Sequence, residues 1–430
     1  MSAPSEMLEM IKNSDPDLAS AIESEIDRQK NSILLIASEN YPSKPVLQAT
    51  GSVLANKYAE GYPSRRYYGG CEFVDIAERL AQERAMRLFG AEHANVQPHS
   101  GTQANMAAYA AVVQPGDTIL GMRLDQGGHL SHGSPVNFSG QTYNFIGYGV
   151  DRETELVDFD EVERLAIEHR PAALVAGYTA YPREVDFSRF RSIADSIGAL
   201  LIVDMAHISG LIAGGAHASP LPHAQIVTST THKTLRGPRG ALILATEEHA
   251  KAVDKAVFPR TQGGPFMHVI AAKAVAFGEA LRPGFALYAE KIVENSRALA
   301  KVLSNGGMRL VSGGTDTHLI LVDLTPLGIT GRKAEEALGE MKIYVNRNAI
   351  PYDPRPPRVT SGLRIGTAAL TSRGMGKNEM VEVGNLILQT LEGIDDVKAT
   401  KRITEGVASL TGRFPVPGIN EVLGYPFFSI

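Results

Sequence analysis

The chain has 430 residues, a formal net charge of −5, one cysteine and no tryptophan. Hydrophobic residues make up 43% and charged residues 21%, which is typical of globular proteins and excludes disordered and fibrous classes. With 42 Lys and Arg against 47 Asp and Glu, there is no basic excess, so no nucleic-acid partner is expected. The single cysteine, Cys71, excludes an internal disulfide framework and fits a reducing compartment.

The amino-terminal segment is predicted to be a helical arm over residues 1–30. Leu18, Ile22 and Ile26 share one helix face, which packs either on a partner or on the chain's own core. The segment has no cationic start followed by an apolar stretch, so it does not resemble a secretion signal. The longest apolar region, residues 199–216, is too short and too polar to span a bilayer. We therefore expect a cytoplasmic protein without membrane contact.

The middle of the chain alternates between short apolar runs and helical patterns. The predicted buried strands are residues 118–122, 173–177, 199–204, 226–230 and 241–245, with helical spacing at 106–112, 159–167 and 187–197. Continuous apolar strands that alternate with helices indicate a mostly parallel α/β sheet. This pattern predicts a large α/β domain over residues 31–290.

The last third of the chain has a different pattern. A helical stretch begins at Met267, breaks near Pro283 and resumes to Leu303. Strand-like runs at 318–323 and 363–366 follow, flanked by helical patterns at 333–341 and 377–391. We predict a smaller α+β domain over residues 291–430.

Common nucleotide-loop, Rossmann, serine-hydrolase and zincin motifs are absent from the sequence. The pairs His129 with His132 and Asp204 with His207 have spacings that a metal hydrolase could use. Histidines satisfied within a polar crevice are the more common explanation, and no metal is expected.

Two polar groups follow neighbouring predicted strands, at the sheet edge where open α/β sheets bind ligands. One strand ends in Asp204, and the next ends in a hydroxyl-rich turn that presents Lys233. A carboxylate and a lysine in this arrangement suit pyridoxal phosphate, since the lysine forms a Schiff base and the carboxylate keeps the pyridinium protonated. Desolvation and the nearby Arg236 and Arg239 are expected to favour the neutral amine.

Two further segments suit an anionic ligand. Ser100, Gly101 and Thr102 begin a helix, where backbone N–H groups and the helix dipole favour a phosphate. The pair Gly263 and Gly264 permits close backbone approach to a ligand. Taken singly, the first segment is more often a plain helix cap, and a plain tight turn explains the second equally well.

With these residues in place, the chain resembles serine hydroxymethyltransferases, which are pyridoxal-phosphate enzymes of fold type I. The resemblance rests on residues 36–40, 56–63, 66–71, 97–101, 203–207, 231–235 and 360–366. It implies a large domain with a mostly parallel sheet, a smaller C-terminal domain and a homodimer with shared active sites, in which dimers could pair into tetramers.

The resemblance also implies roles for individual residues. The implied catalytic residues are Lys233, Glu60, Tyr68 and His232. Cofactor-binding roles fall on Ser100, Gly101, Thr102, His129, Thr179, Asp204, His207, Thr230, Lys233, Tyr58, Gly263, Gly264 and Arg239. Ser38, Arg364, Tyr68 and Glu60 would bind the amino-acid substrate, and Leu124, Gly128, Leu130 and Asn348 would bind tetrahydrofolate. Tyr58, Glu60, Tyr68, Gly263 and Gly264 would reach the site from the neighbouring subunit.

The implied reaction interconverts serine and glycine and transfers the hydroxymethyl group to tetrahydrofolate. Five positions depart from the usual family pattern: Gln126, Thr179, Arg260, Tyr352 and Arg358. They leave open a relative that acts on α-methylserine or on threonine-like substrates. A regulator that binds pyridoxal phosphate without turnover is a remote alternative, because Glu60, Lys233 and Arg364 are all retained.

Overall fold

The computed structural model describes residues 3–394 and 397–419. The helices are α1 (Ala3–Ser14), α2 (Pro16–Lys30), α3 (Lys44–Thr50), α4 (Glu72–Phe89), α5 (Gly101–Val112), α6 (Phe138–Thr142), α7 (Phe159–His169), α8 (Phe187–Ile197), α9 (Ser209–Ala213), α10 (Glu247–Lys255), α11 (Met267–Ala280), α12 (Gly284–Asn305), α13 (Gly331–Glu340), α14 (Ala368–Ser372), α15 (Lys377–Glu392) and α16 (Val397–Arg413). The strands are β1 (Ile33–Leu34), β2 (Gly61–Tyr62), β3 (Arg65–Arg66), β4 (His93–Asn95), β5 (Thr118–Met122), β6 (Asn144–Tyr148), β7 (Ala173–Gly177), β8 (Leu200–Asp204), β9 (Ile226–Thr230), β10 (Ala241–Ala245), β11 (Arg309–Leu310), β12 (Leu319–Asp323), β13 (Ile343–Tyr344), β14 (Asn346–Asn348) and β15 (Gly362–Gly366).

Seven strands form the central sheet in the order β4-β10-β9-β8-β7-β5-β6. Neighbours are parallel except at β10, which runs antiparallel to both β4 and β9. The mostly parallel sheet and all five predicted strands are confirmed. The short β4 and the mixed polar and apolar β6 are absent from the prediction, since neither has a continuous apolar run.

Both faces of the central sheet are buried. Leu201 and Val203 of β8 share one core with Phe190 of α8, while Ile202 between them shares the opposite core with Tyr109 of α5. Burial on both faces explains why these strands are continuously apolar rather than alternating.

A second sheet, in the order β11-β12-β15-β14, is antiparallel and packs on its own core. Along α12, Phe285 belongs to the core of the central sheet and Leu303 to this second core. Ile33 of β1 also lies in the second core, because β1 pairs with β13. The amino-terminal chain therefore crosses between the two cores. The domain limits at residues 30 and 290 stay predictions.

The arm consists of α1 and α2, whose second helix begins at the N-cap Asp15 and the following Pro16. Leu18 is 51% exposed, so the described part of this chain does not cover the predicted apolar face completely. None of the helices in residues 3–394 and 397–419 is both long and apolar enough to cross a membrane.

The short helix α9 supports the turn after β9. A Cβ added to Gly210 would lie 2.2 Å from the backbone carbon and oxygen of Thr234, and the Gly210 N–H donates to Thr234 Oγ1 at 2.9 Å. We expect Gly210→Ala to destabilise the protein by about 1–3 kcal/mol through overpacking. Urea unfolding measures the change. The control is Gly339→Ala in α13, where a Cβ meets nothing within 4 Å and a small stabilisation is expected. Equal stability of the two variants would contradict the packing.

Candidate active site

A buried carboxylate, Asp204, ends strand β8. Its Oδ2 accepts hydrogen bonds from Asn105 Nδ2 at 2.8 Å and from His132 Nε2 at 3.2 Å. Its Oδ1 accepts one from the N–H of Ala206 at 3.0 Å. Asn105 is itself fixed, because its Oδ1 accepts a hydrogen bond from Thr228 Oγ1 at 2.6 Å. Strand β9 therefore fixes Asn105, and Asn105 in turn fixes Asp204.

The pKa of Asp204 lies well below the ordinary value for a carboxyl group. Burial alone raises this pKa, but the hydrogen bond from His132, the electrostatic influence of the two neighbouring histidine rings and the hydrogen bond from Asn105 lower it by more. Asp204 is consequently ionised at neutral pH and can keep a bound cation or protonated ring nitrogen charged.

Lys233 lies in the turn that follows β9, the strand next to β8 in the sheet. Its side chain is buried, and its backbone carbonyl accepts a hydrogen bond from Asn40 Nδ2 at 2.9 Å. Burial lowers the pKa of Lys233 to about 8, against the opposing charge of Asp204 and with the help of Arg364 and Arg239. An appreciable fraction of the amine is neutral near pH 8, as a nucleophile requires.

The effect of Arg236 on Lys233 stays a prediction. The Arg236 guanidinium lies over the ring of Tyr288, 4.7 Å from the centroid, a contact that holds the cation against the core. Arg364, which the sequence did not pair with the lysine, joins Arg239 in lowering the lysine pKa. Arg239, which the sequence paired with Arg236, is exposed.

Three predicted site histidines are uncharged at neutral pH. Burial lowers the pKa of His129 to about 4 and that of His232 to about 3, and it lowers the pKa of His207 well below its ordinary value. His129 Nδ1 lies 2.7 Å from the Ser131 hydroxyl and accepts the Ser131 N–H at 3.1 Å, which assigns the ring proton to Nε2. His207 Nδ1 lies 3.2 Å from Nε2 of the buried His318.

The start of α5 forms a cradle for an anion. Ser100 is the N-cap, and its Oγ accepts the N–H of Gln103 at 3.3 Å. The N–H groups of Gly101 and Thr102 belong to the first turn, which has no acceptors within the helix. A Cβ at position 101 would lie 2.7 Å from Thr230 Cγ2, so only glycine lets this turn approach the end of β9.

Arg364 extends from β15 toward the central sheet. Its Nη1 donates to the Thr179 carbonyl at 2.7 Å, and its Nε donates to Asn346 Oδ1 at 3.1 Å. Burial lowers the pKa of Arg364 to about 10, so the guanidinium stays charged at neutral pH. The hydroxyl of Thr179 donates to the Gly128 carbonyl at 2.6 Å. In this orientation the hydroxyl can still accept a hydrogen bond, whereas donating one to the cofactor would require it to rotate.

Ser38 is half-buried on a segment that links β15 to the turn of Lys233. On one side, a Cβ at Gly366 would lie 2.4 Å from Ala37 Cα, which shows how closely the segment packs on β15. On the other side, Asn40 holds the Lys233 carbonyl. Ser38 thus lies between the residues predicted to bind substrate and cofactor.

Five predicted site residues form a separate group, which we call the tyrosine cluster: Tyr58, Glu60, Tyr68, Gly263 and Gly264. The two tyrosine rings meet edge to face at 5.2 Å, and both are about half exposed. Cβ atoms at the two glycines would lie 3.4 Å from Glu60 Oε1 and 3.0 Å from Tyr58 Cζ. In the described parts of the chain, no hydrogen bond or ring contact joins this cluster to the group around Lys233.

A buried arginine, Arg66, holds the backbone on both sides of Glu60. Its Nη1 donates to the carbonyl of Ala59 at 2.9 Å and to that of Gly61 at 2.8 Å. Its Nε and Nη2 donate to two buried α4 carboxylates at 2.9 and 2.5 Å, those of Asp75 and Glu78. The position of Glu60 is therefore set by the core beneath it.

The predicted folate residues lie on several loops and strands. Leu124 and Leu130 are 49% and 45% exposed, an unusual state for leucines beside buried polar groups. Gly128 between them is buried. Asn348 on β14 donates to the Ala349 carbonyl at 2.7 Å. Their role in folate binding stays a prediction.

Gln126 and Tyr352, two of the five positions that depart from the usual family pattern, meet at Val150. The Tyr352 hydroxyl donates to the Val150 carbonyl, and Gln126 Oε1 accepts the Val150 N–H at 3.4 Å. Arg152 lies over the Tyr352 ring at 4.0 Å. Tyr352 thereby fastens the loop after β14 to the segment after β6.

Arg260 and Arg358, two further positions that depart from the usual family pattern, differ in their surroundings. Arg260 Nη1 donates to the Ala110 carbonyl at the end of α5. Arg358 is exposed, and no hydrogen bond or ion pair holds it within the described residues.

The sequence predicted no supporting role for a set of side chains around the site, although it offered one of them, His132, as a possible metal ligand: Asn40, Asn105, His132, His318 and Asn346. Asn105 lies one helical turn beyond Gly101, and that spacing could have revealed it. The others contact the site only through tertiary packing.

The fold and the site define an α/β enzyme whose buried aspartate and lysine follow adjacent strands at one sheet edge. The family model for serine hydroxymethyltransferase matches residues 11–387. A protein named serine hydroxymethyltransferase from Acidobacterium capsulatum is 58% identical over 408 residues, which cover 95% of this chain and 96% of that protein. The chain belongs to the serine hydroxymethyltransferase family, which confirms the predicted family, fold type I and enzyme class.

Asn346 offers a test of how Arg364 is held. We expect Asn346→Ala to raise the KM for the amino-acid substrate about tenfold with a smaller change in kcat, because the lost hydrogen bond is to a charged group. Steady-state kinetics measure both constants. The matched control is Asn144→Ala, which removes an exposed hydrogen bond to Thr118. A loss confined to kcat would contradict the assignment.

The lowered pKa of Lys233 predicts a pH profile for cofactor attachment to the apoenzyme. Below about pH 8 the protonated amine is unreactive, so the rate should rise with pH and level off above that value. Asp204→Asn should move the midpoint down, since the carboxylate raises the lysine pKa. Arg364→Leu should move it up. Stopped-flow absorbance measures the rates, and a midpoint near the ordinary lysine pKa would contradict the burial argument.

Proposed function

We propose that this protein interconverts serine and glycine with pyridoxal 5′-phosphate as cofactor and tetrahydrofolate as one-carbon acceptor. The observation that carries the proposal is the joint presence of ionised Asp204, buried Lys233 and the Ser100 cradle at one sheet edge. Family membership supports this reaction over the α-methylserine and threonine-type alternatives.

The residues present fit the cofactor. The Lys233 amine donates no hydrogen bond within the described residues, so it is available for attachment. Among the described residues, Asp204 Oδ1 accepts a hydrogen bond from the Ala206 N–H alone, which leaves it able to accept from a ring N–H. The first turn of α5 suits the phosphate because its backbone N–H groups have no acceptors within the helix. When bound, pyridoxal phosphate supplies a protonated ring that withdraws the electrons left by cleavage of the Cα–Cβ bond.

The substrate is oriented by charge. Arg364 is a buried guanidinium that can offer two parallel N–H groups to the amino-acid carboxylate, with Ser38 beside it. His129 and His207, both uncharged, provide neutral surfaces around the reacting atoms. This arrangement places the substrate α-carbon by its carboxylate and leaves the side-chain hydroxyl to the acid–base group.

We assign the acid–base role to Glu60 of a second subunit, with Tyr68 beside it. Within the described residues of one chain, no hydrogen bond or ring contact joins the tyrosine cluster to the group around Lys233. Apolar residues around the cluster are exposed, as they are at a subunit interface whose partner is absent. Those residues are Val53, Tyr67, Phe73 and Ile76, at 80%, 73%, 72% and 52% exposure. A homodimer in which each cluster completes the partner's site accounts for both facts.

For folate, the exposed Leu124 and Leu130 offer an apolar surface, and Asn348 offers amide hydrogen bonds. Arg358, which no described residue engages, would pair with the glutamate tail. The experiment is glycine formation from serine with and without tetrahydrofolate, beside α-methylserine and threonine. Folate-dependent glycine formation from serine supports the proposal. Faster turnover of α-methylserine, or turnover unaffected by folate, would replace it with the corresponding aldolase.

Subunit sharing gives a complementation test. Lys233→Ala and Glu60→Gln should each be inactive, whereas a mixed dimer holds one site with both wild-type groups. Co-refolding the two variants should therefore restore up to about a quarter of wild-type activity per active site, because half of the dimers are mixed and each has one complete site of two. Mass spectrometry verifies subunit exchange, and no recovery after verified exchange would contradict shared sites.

A further inference from the structure

A second buried lysine, Lys273 of α11, lies behind the Ser100 cradle. It is 1% exposed, and its Nζ donates to three backbone carbonyls: Val96 at 2.6 Å, Pro98 at 3.0 Å and Ala241 at 2.7 Å. Three acceptors around one amine match the three donors of an ammonium group, whereas a neutral amine has only two. The hydrogen bonds therefore favour the charged form of Lys273.

Among the described residues, Lys273 has no carboxylate of its own. Burial lowers the pKa of Lys273 to about 7, and the charge of Glu78 opposes that shift. Glu78 already pairs with Arg66 at 2.5 Å, and no ion pair of Lys273 is present within the described residues. A buried ammonium without a partner is costly unless another negative charge lies nearby.

Two of the carbonyls that Lys273 holds, those of Val96 and Pro98, belong to the segment that leads from β4 into the cradle, and the third, that of Ala241, begins β10. Pro98 O also accepts the Ala241 N–H at 3.1 Å. Gln262 binds the two remaining residues of this segment: its side chain donates to the Gln97 carbonyl and accepts the His99 N–H, both at 3.1 Å. Every residue from 96 to 99 is thus tied down immediately before Ser100.

The charge of Lys273 also reaches the cradle. The pKa of His99 is lowered to about 4, first by burial and then by the charge of Lys273. His99 immediately precedes Ser100, so a phosphate at the first turn of α5 would experience the same positive potential.

We propose that Lys273 is a positioning residue for the cofactor phosphate: it fixes residues 96–98 so that the first turn of α5 faces the phosphate, and it supplies buried positive charge behind that turn. It does not touch the phosphate and acts through the carbonyls that it holds. The inference rests on the proposed use of pyridoxal 5′-phosphate and adds a residue to which that proposal gives no role.

The test compares a ligand with the phosphate to one without it. Apoenzymes of wild type, Lys273→Met and Lys273→Gln are titrated with pyridoxal 5′-phosphate and with pyridoxal, and binding is followed by absorbance. The Lys273→Gln side chain has two amide N–H donors but no charge, so this variant is used for the comparison if Lys273→Met does not fold. The control Asn295→Leu removes buried hydrogen bonds to Thr371 and Met375, away from the cradle.

We expect the Kd for pyridoxal 5′-phosphate to rise tenfold or more in Lys273→Met and Lys273→Gln. The Kd for pyridoxal should change less than threefold, and the control should change both equally. An equal loss for both aldehydes in the Lys273 variants, or no loss for either, would overturn the inference and leave Lys273 a structural residue. Failure of the wild-type protein to bind either aldehyde would instead refute the proposed function.

Discussion

A negative charge buried at the end of β8 is the constraint on which the site depends. An ionised carboxylate removed from water is stable only when hydrogen bonds and positive charge surround it, and Asp204 obtains these from Asn105, His132 and the Ala206 N–H. Each of those groups comes from a different part of the fold. The charge in turn raises the pKa of Lys233, which burial lowers, so the aspartate and the lysine are set as a pair.

The same physical arrangement recurs on a smaller scale around Arg66. A guanidinium with little access to water is satisfied by two carboxylates and two carbonyls, and those carbonyls flank Glu60. Glu60, to which we assign the acid–base role, therefore has a rigid backbone support although its own side chain is only half-buried. Precision at a site comes from the residues behind it, because first-contact side chains need fixed supports.

Two features belong to the loop between β14 and β15. Tyr352 of this loop and Gln126 both bond to Val150, which ties the loop to the central sheet. Arg358 is left exposed on the same loop. An exposed cation on a loop held in this way is the basis of the proposed pairing of Arg358 with the glutamate tail of folate.

The sequence by itself determined the alternation of strands and helices, the aspartate and lysine at adjacent strand ends, and the capped start of α5. These features follow from local periodicity and from the rule that parallel strands end at one edge. Only the tertiary structure decided that Asn105 and His132 meet Asp204, that Arg66 holds the backbone beside Glu60, and that Arg236 packs on Tyr288. Such contacts join residues that are far apart in the chain, or they depend on the orientation of a side chain. Core packing determines both the meeting of distant residues and the side-chain orientation, and no local sequence pattern records it.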